Sequence, residues 1–228
     1  MKYQLAILLS IGCFAFGQEI KSSLKTTIKK EINVNYLLQL PKDVKNDSIA
    51  LLVFLHGSGE RGTNLELVKA NGPFKYQHLL KEPTAILAPQ CPENVWWDTE
   101  AIYQLIKDIS SKHKVKKNKI YLTGLSMGGW GTLKLYVEHP ELFAKVASVC
   151  APVDDLFVVS AEYLKNKPVK IFHGALDNVV PVQHAINFFT ELKKTNSQAE
   201  LIIFENDNHN SWDSAYSDPT FYQWLAKH

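Results

Sequence analysis

The sequence lacks both a long apolar run and an excess of charge of one sign. Its longest mostly apolar stretch, Leu5 to Phe16, is shorter than the roughly 20 residues that a membrane-spanning helix requires. Lysine and arginine together number 25 against 23 aspartates and glutamates, so the net charge is only +2. The first shortage argues against an integral membrane span, and the second gives no reason to expect nucleic acid as a partner.

Other absences limit the organisation of the chain. The sequence shows no internal repeat, no low-complexity segment and no sign of a second domain. Its histidines and cysteines do not have the spacing of metal ligands, so we expect no metal, and the chemistry inferred below needs no organic cofactor. A basic run, Lys112 to Lys119, falls between a predicted helix and a predicted strand, where we interpret it as a solvated connecting turn.

Residues 1–17 have the pattern of a secretory signal peptide. A positively charged N-terminal residue precedes a short apolar segment, and this segment ends in small residues at the positions that signal peptidase recognises before its cleavage site. We therefore expect cleavage before Gln18, a secreted or periplasmic location, and a catalytic domain over residues 18–228. The alternative is a lipoprotein signal with Cys13 as the lipidated residue, although the residue three positions before it is smaller than usual.

The remaining chain alternates strand patterns with helix patterns. Residues 20–40 are predicted to form two antiparallel strands, and residues 64–81 carry short helical patterns. The later strands are predicted at 49–55, 84–88, 120–123, 145–150, 169–173 and 200–204, and the helices at 98–112, 128–138, 182–194 and from Asp218 onward. This alternation predicts an α/β protein with a mostly parallel sheet that helices flank on both faces.

The strongest motif is a Gly-x-Ser-x-Gly sequence, Gly124 to Gly128, with Ser126 at its centre. A β-branched and apolar run precedes it and a helix pattern follows, which is the sequence form of a nucleophile elbow. A turn this tight strains the backbone at the serine, and the glycines are needed because side chains there would collide with neighbouring backbone. We therefore predict that Ser126 is a nucleophile; the alternative is a glycine-rich turn with an incidental serine.

A serine nucleophile needs a base and an acid that orients the base. In this kind of fold the chain order is serine, then aspartate or glutamate, then histidine. Asp177 follows the strand predicted at 169–173, and His209 follows the last predicted strand. We predict these two residues as the acid and the base. Asp154 and Asp155 are the competing acids, because they follow the preceding strand.

Three other histidines compete with His209 for the role of base. His56 and His173 are each followed by glycine at the end of a predicted strand, so we expect them to brace loops. His184 lies on a predicted helix. Their positions favour His209.

The negative oxygen of an acyl-transfer intermediate needs two hydrogen-bond donors. We predict the backbone N–H of Met127, next to the nucleophile, and the backbone N–H of Ser58, in the loop after the first parallel strand, with Gly59 as the alternative to Ser58. We expect a structural ion pair between Glu60 and Arg61 to fix that loop; the alternative is that these two residues hold a substrate group.

Trp97 and Trp130 lie near the predicted active edge of the sheet, and we predict that they line the substrate pocket. Core packing is the alternative for both tryptophans. Cys91 and Cys150 end two predicted strands that two other strands separate in the expected strand order, a gap of about 14 Å at about 4.8 Å per strand. That gap favours free thiols over a disulfide, although an exported protein could form one.

Taken together, these motifs resemble the α/β-hydrolase superfamily, and within it the secreted bacterial esterases that are labelled "predicted peptidase" or phospholipase/carboxylesterase-like. The residues that carry the resemblance are 55–62, 88–92, 124–132, His173-Gly174 with Asp177 and 180–181, and His209 with Trp212. The resemblance implies a single-domain α/β-hydrolase fold without a large cap domain. It also implies feruloyl-, acetyl- or simple carboxylesterase activity.

The sequence thus predicts a serine carboxylic-ester hydrolase that acts through an acyl-enzyme on small or polysaccharide-linked esters. A serine peptidase of the same fold is the first alternative, although peptidases of this superfamily usually carry a large gating domain. A non-catalytic carbohydrate-binding module is the second alternative. The complete set of serine, aspartate and histidine argues against that module.

Overall fold

The structure is a computed structural model that describes residues 19–42, 49–161, 164 and 167–227. The predicted signal peptide and Cys13 lie outside the described residues, so cleavage and export stay predictions. Residues 19–31 belong to a separate unit and contain neither helix nor strand. From Ile32 onward the chain forms one compact unit that holds the whole sheet.

Within the described residues, seven strands form one sheet in the order β1-β3-β2-β4-β5-β6-β7. The strands are β1 (Tyr36–Gln39), β2 (Ile49–Leu55), β3 (Thr84–Pro89), β4 (Val115–Leu125), β5 (Lys145–Val149), β6 (Val169–Gly174) and β7 (Ala199–Phe204). β1 pairs antiparallel with β3, and every other neighbouring pair is parallel. The predicted mostly parallel sheet is confirmed, and so are the two strands between those that lead to Cys91 and Cys150.

The central strands are buried on both faces. All seven residues of β2 are buried, which explains why its sequence is apolar without alternation. Its odd-numbered side chains join the hydrophobic core on one face of the sheet, and its even-numbered side chains join the core on the other face. The sheet therefore forms the middle layer of the unit and supports loops at its carboxyl edge.

Helices cover both faces of this sheet. They are α1 (Thr99–Lys112), α2 (Met127–Glu138), α3 (Asp155–Ser160), α4 (Gln183–Thr195), α5 (Trp212–Ser217) and α6 (Pro219–Ala226). The start predicted for the last helix is confirmed: Asp218 caps it through a 2.8 Å hydrogen bond from the Thr220 N–H, and Pro219 occupies the first turn. No helix of the described residues is both long enough and apolar enough to cross a bilayer.

Two sequence predictions need correction. Residues 20–40 contain one strand, not two: Tyr36 to Gln39 pair with Ile86 to Pro89 of β3, and residues 20–35 form no strand. The basic run Lys112 to Lys119 is mostly strand, not a connecting turn. β4 already begins at Val115, because its ladder with β2 continues across an irregularity at Ile49.

Candidate active site

Ser126 lies at the junction of β4 and α2, in a sharply bent backbone. Its φ of 51° and ψ of −119° place it outside the regions that a serine favours, at a cost of about 1–3 kcal/mol. Two backbone hydrogen bonds hold this conformation: Ser126 N–H donates to the Val149 carbonyl at 2.9 Å, and Trp130 N–H donates to the Ser126 carbonyl at 3.0 Å. Strand and helix together therefore hold the serine side chain at the carboxyl edge of the sheet.

The two glycines of the motif allow this bend by close backbone packing. A Cβ on Gly128 would lie 1.9 Å from the Leu55 carbonyl oxygen, and a Cβ on Gly124 would lie 2.3 Å from the Gly128 carbonyl oxygen. Neither backbone atom can move away without shifting a strand or a helix. The collision that the sequence predicts is present at both positions.

We expect Gly128→Ala to lower the free energy of unfolding by at least about 2 kcal/mol, because the new methyl group would displace backbone in the central strand β2. Gly59→Ala is a matched control, since a Cβ there meets no atom within 4 Å, and its effect should stay within about 1 kcal/mol. Urea unfolding followed by circular dichroism measures both. Equal stability of the two variants would contradict the packing described for Gly128.

Three side chains form a continuous chain of hydrogen bonds. Ser126 Oγ lies 2.9 Å from His209 Nε2, and His209 Nδ1 lies 2.8 Å from Asp177 Oδ2. The other carboxylate oxygen, Oδ1, accepts hydrogen bonds from the Val179 and Val180 N–H groups at 2.9 and 2.8 Å. The structure thus brings together the three residues that the sequence singles out as nucleophile, base and acid.

Electrostatics fix the direction of the protons in this chain. Burial raises the pKa of Asp177, but hydrogen bonds from His209, Val180 and Val179 outweigh burial and hold that pKa below its ordinary value. Asp177 is therefore an ionised acceptor near neutral pH, so Nδ1 of His209 must carry the proton of their hydrogen bond. Nε2 of His209 is then free to accept the proton of the Ser126 hydroxyl.

These residues come from three different strands. Ser126 follows β4, Asp177 follows β6 and His209 follows β7, and parallel strands bring all three carboxyl ends to one edge. The loops after β6 and β7 touch at Gly174, where a Cβ would lie 2.3 Å from the Asn208 carbonyl oxygen. Contact between these two loops brings His209 within reach of Asp177.

His56 and His173 hydrogen-bond to backbone, as expected, and so does His184, for which the sequence predicts only a place on a helix. His56 Nε2 accepts a hydrogen bond from the Cys91 N–H at 3.0 Å. His173 Nε2 lies 2.8 Å from the Val180 carbonyl oxygen, and His184 Nδ1 lies 2.8 Å from the Val153 carbonyl oxygen.

The competing acid Asp154 is occupied elsewhere. It caps α3 by accepting a hydrogen bond from the Phe157 N–H at 3.2 Å, and it accepts a second one from Trp130 Nε1 at 3.4 Å. Its neighbour Asp155 begins that helix and is exposed. The geometry therefore leaves Asp177 as the carboxylate that meets His209.

The loop after β2 lies at the same edge and contains Ser58. Separate hydrogen bonds hold this loop: Arg61 Nε donates to the Ser58 carbonyl at 3.1 Å, and Glu60 Oε1 accepts from Asn71 Nδ2 at 2.7 Å. These bonds replace the Glu60–Arg61 ion pair that the sequence suggests. Ser58 begins a 3₁₀ turn and Met127 begins α2, so no earlier carbonyl of the same helix can accept from their N–H groups.

The tryptophans divide between the core and the surface. Trp97 is only 4% exposed, and it packs against His56 and into the space that Gly131 leaves open. This position corrects the expectation that Trp97 lines the pocket. Trp96 is 53% exposed and meets Trp130 edge-on, with 5.0 Å between ring centroids.

Trp130 lies one turn of α2 after Ser126, and it forms an aromatic cluster with the exposed Trp96 and with Phe157, which is buried and lies 5.9 Å from Trp130 between ring centroids. Of the Trp96-Trp97 pair, sequence reasoning favoured Trp97 over Trp96 as the pocket residue. Consecutive side chains of an extended segment point to opposite sides, so only one member of the Trp96-Trp97 pair could face outward.

Cys91 and Cys150 are buried free thiols, as predicted. Burial raises the pKa of Cys91 to about 11 and that of Cys150 to about 12, so neither thiol ionises near neutral pH. These cysteines do not compete with Ser126 as nucleophiles. Across the part of the chain that the structure describes, no group of three or more His, Cys, Asp and Glu side chains is arranged to hold a metal ion.

Comparison with known proteins places this geometry in a family. A sequence model of the phospholipase/carboxylesterase family matches residues 92–220, which is more than half of the chain and includes Ser126, Asp177 and His209. The chain belongs to the phospholipase/carboxylesterase family. The sheet order and flanking helices of this family member form a single α/β-hydrolase fold, as the sequence predicts.

Solved structures and sequence relatives agree with that placement. The crystal structure of a thermostable esterase is similar to the family member with a TM-score of 0.74 and 32% identity, over 84% of this chain and 58% of that one. A poly(3-hydroxyoctanoate) depolymerase of Pseudomonas fluorescens is 30% identical over 127 residues, 46% of each protein. A dipeptidyl peptidase family member 1 of Caenorhabditis elegans is 24% identical over 82% of this chain and 29% of its own length. The chain thus spans less than half the length of these two relatives.

Proposed function

We propose that this phospholipase/carboxylesterase family member is a serine esterase in which Ser126 is the nucleophile. The observation that carries the proposal is the unbroken chain of hydrogen bonds from Ser126 through His209 to Asp177, at a strained turn between strand and helix. A chain of this kind converts a weakly nucleophilic hydroxyl into an effective one. Family membership and the likeness to a thermostable esterase support hydrolysis of esters.

The proposed mechanism uses the chain's own groups. His209 Nε2 takes the hydroxyl proton as Ser126 Oγ attacks the ester carbonyl carbon, while Asp177 stabilises the imidazolium that forms. The N–H groups of Met127 and Ser58 hold the negative oxygen of the tetrahedral intermediate. The imidazolium gives its proton to the departing alcohol, which leaves an acyl group on Ser126. Water then attacks that group with the same proton transfers and releases the acid.

The Trp96–Trp130 pair supports esters with an apolar or aromatic group. Trp96 is exposed and Trp130 is partly exposed, Phe157 packs against Trp130 from the core, and the hydrogen bond from Trp130 to Asp154 holds the Trp130 ring in place. We therefore propose esters of ferulic acid or other apolar acids, small or attached to polysaccharide, together with acetyl esters. The likeness to a protein named as a polyester depolymerase supports an ester bond as the target.

Peptide hydrolysis is the second candidate, because a relative named as a dipeptidyl peptidase matches 82% of the chain. The same three side chains could attack an amide. An amide is harder to cleave, because its nitrogen leaves only after protonation. Ester hydrolysis therefore makes a smaller catalytic demand on these three side chains than amide hydrolysis does, and it is the function that we favour.

The test is a substrate panel for the purified protein. We expect turnover of p-nitrophenyl acetate, p-nitrophenyl butyrate and methyl ferulate, and no turnover of aminoacyl p-nitroanilides. Turnover of the anilides alone would replace the esterase by a peptidase. A folded protein that turns over none of them, and that an organophosphonate does not label, would be a binding module.

A further inference from the structure

A second histidine touches the carboxylate of the proposed acid. His173 is the fifth residue of β6 and is fully buried. Its Nε2 lies 3.2 Å from Asp177 Oδ2, the same oxygen that meets His209 Nδ1 at 2.8 Å. The same Nε2 lies 2.8 Å from the Val180 carbonyl oxygen. One nitrogen of His173 therefore reaches both the carboxylate and the turn that surrounds it.

The surroundings fix the tautomer of His173. A carbonyl oxygen only accepts hydrogen bonds, so the contact with Val180 requires a proton on Nε2. Nδ1 is buried and has no hydrogen-bond partner, so a second proton there would find no acceptor. Burial lowers the pKa of His173, which agrees with a ring that stays neutral. His173 thus presents a fixed N–H donor to the Val180 carbonyl over the neutral pH range.

Three N–H donors bind the two carboxylate oxygens. Oδ1 of Asp177 receives the N–H groups of Val179 and Val180, and Oδ2 receives the Nδ1–H of His209. The Nε2–H of His173 binds the carbonyl of Val180, whose own N–H binds Oδ1. The imidazole of His173 therefore holds the carboxylate through this turn, and its Nε2 lies 3.2 Å from Oδ2.

Other titratable groups also act on this cluster. The charges of Asp177, His209 and His184 act on His173, and His184 lies on the neighbouring helix α4. Asp177 also faces the thiol of Cys150, which stays neutral. Of these groups, His209 is the one whose proton the proposed reaction moves. A substitution of His173 should therefore alter the hydrogen bond between His209 and Asp177.

We propose that His173 is a positioning residue: its hydrogen bond to the Val180 carbonyl holds the turn whose N–H groups orient the Asp177 carboxylate toward the Nδ1–H of His209. The part that this hydrogen bond plays in catalysis rests on the proposed function, whereas its part in ordering Asp177 and His209 does not. Without the His173 donor the turn is released and the carboxylate can rotate about its Cβ–Cγ bond, so the His209 imidazole loses a fixed tautomer and direction. Small misplacements of a catalytic group cost up to about a hundredfold in rate.

Two substitutions separate positioning from packing. His173→Gln places an amide N–H where Nε2 stands, whereas His173→Asn reaches only as far as Nδ1 and removes the donor. We expect H173N to lower kcat for p-nitrophenyl butyrate by 10- to 100-fold with KM changed less than about threefold. H173Q should keep kcat within about fivefold of the wild type. His78→Asn, at an exposed position, is the control for a histidine change that should leave kcat unaltered.

A spectroscopic readout needs no substrate. In the resting protein with ¹⁵N-labelled histidine, the hydrogen-bonded Nδ1–H of His209 should give a slowly exchanging signal in the wild type and in H173Q. That signal should weaken or vanish in H173N. An unchanged signal and an unchanged kcat in H173N, with only a lower Tm, would make His173 a packing residue. Equal impairment of H173Q and H173N would also overturn the proposal.

The wild-type spectrum is decisive even if H173N does not fold. His173 must appear with its proton on Nε2 and none on Nδ1, and the opposite tautomer would exclude donation to the Val180 carbonyl and overturn the proposal. If the signals behave as expected while the wild type turns over no ester, the proposed function fails and the positioning role stands.

Discussion

Replacing Ser126 by alanine is expected to lower kcat/KM for p-nitrophenyl butyrate by at least about a thousandfold while the fold persists. The substitution removes the oxygen that lies 2.9 Å from His209 Nε2, and no other atom on that side chain can attack a carbonyl. It leaves the Cβ and the backbone of the elbow in place, so the neighbouring glycine contacts do not change. Residual turnover would come from the oxyanion donors and from substrate binding.

The measurement pairs kinetics with covalent labelling. An organophosphonate should add one adduct to the wild type by intact mass and none to S126A, and circular dichroism should show the same Tm within a few degrees. Ser217→Ala, an exposed serine on α5, is the control and should keep both activity and label. If S126A retained more than a few per cent of the activity, the nucleophile would lie elsewhere.

Replacing Asp177 by asparagine is expected to lower kcat by about 10⁴-fold. Three N–H groups point at the carboxylate, and an amide has only one oxygen to receive them. Its NH₂ group must then face either the backbone pair at Val179 and Val180 or the imidazole of His209. In the second arrangement the Nδ1–H of His209 loses its acceptor. The tautomer with a free Nε2, which accepts the serine proton, is then no longer stabilised.

The matched control is Asp154→Asn, which changes a carboxylate that caps α3 and meets Trp130. We expect D154N to keep kcat within about threefold, because Asp154 does not contact His209 and an asparagine can still cap a helix. A reversal of the two results would assign the acid to Asp154. D177N will also lose stability, about 1–3 kcal/mol for the unpaired donors, so kcat should be compared well below both Tm values.

The sequence was informative wherever the requirement is local or follows chain order. A tight strand-to-helix turn demands glycine, so Ser126 could be identified from its neighbours. Asp177 and His209 followed from the rule that parallel strands bring their carboxyl ends to one edge. The start of α6 was predictable because Asp218 and Pro219 together are a helix signal.

The sequence was uninformative wherever contacts between distant segments decide. α3 and α5 have six residues each, which is too short for a helical period to show against a loop. Trp97 is buried because its ring packs against Gly131. The local sequence around Trp96 and Trp97 does not determine which of the two rings occupies that position. The contact between His173 and Asp177 depends on how the turn at Val180 closes back onto β6. Such closures are set by the packed structure.

The strand order has a consequence for how the protein should fail when warmed. Ser126 directly follows β4, which has a strand on either side, whereas His209 follows β7, which among the described strands pairs with β6 alone and is partly exposed over most of its length. Edge strands open at a lower free-energy cost than central ones. The base should therefore be lost by local fraying while the nucleophile is still in place. The half-life of activity on heating would then report how readily β7 separates from β6. Substitutions that stabilise the β6–β7 pairing would lengthen that half-life more than substitutions that improve packing in the hydrophobic core.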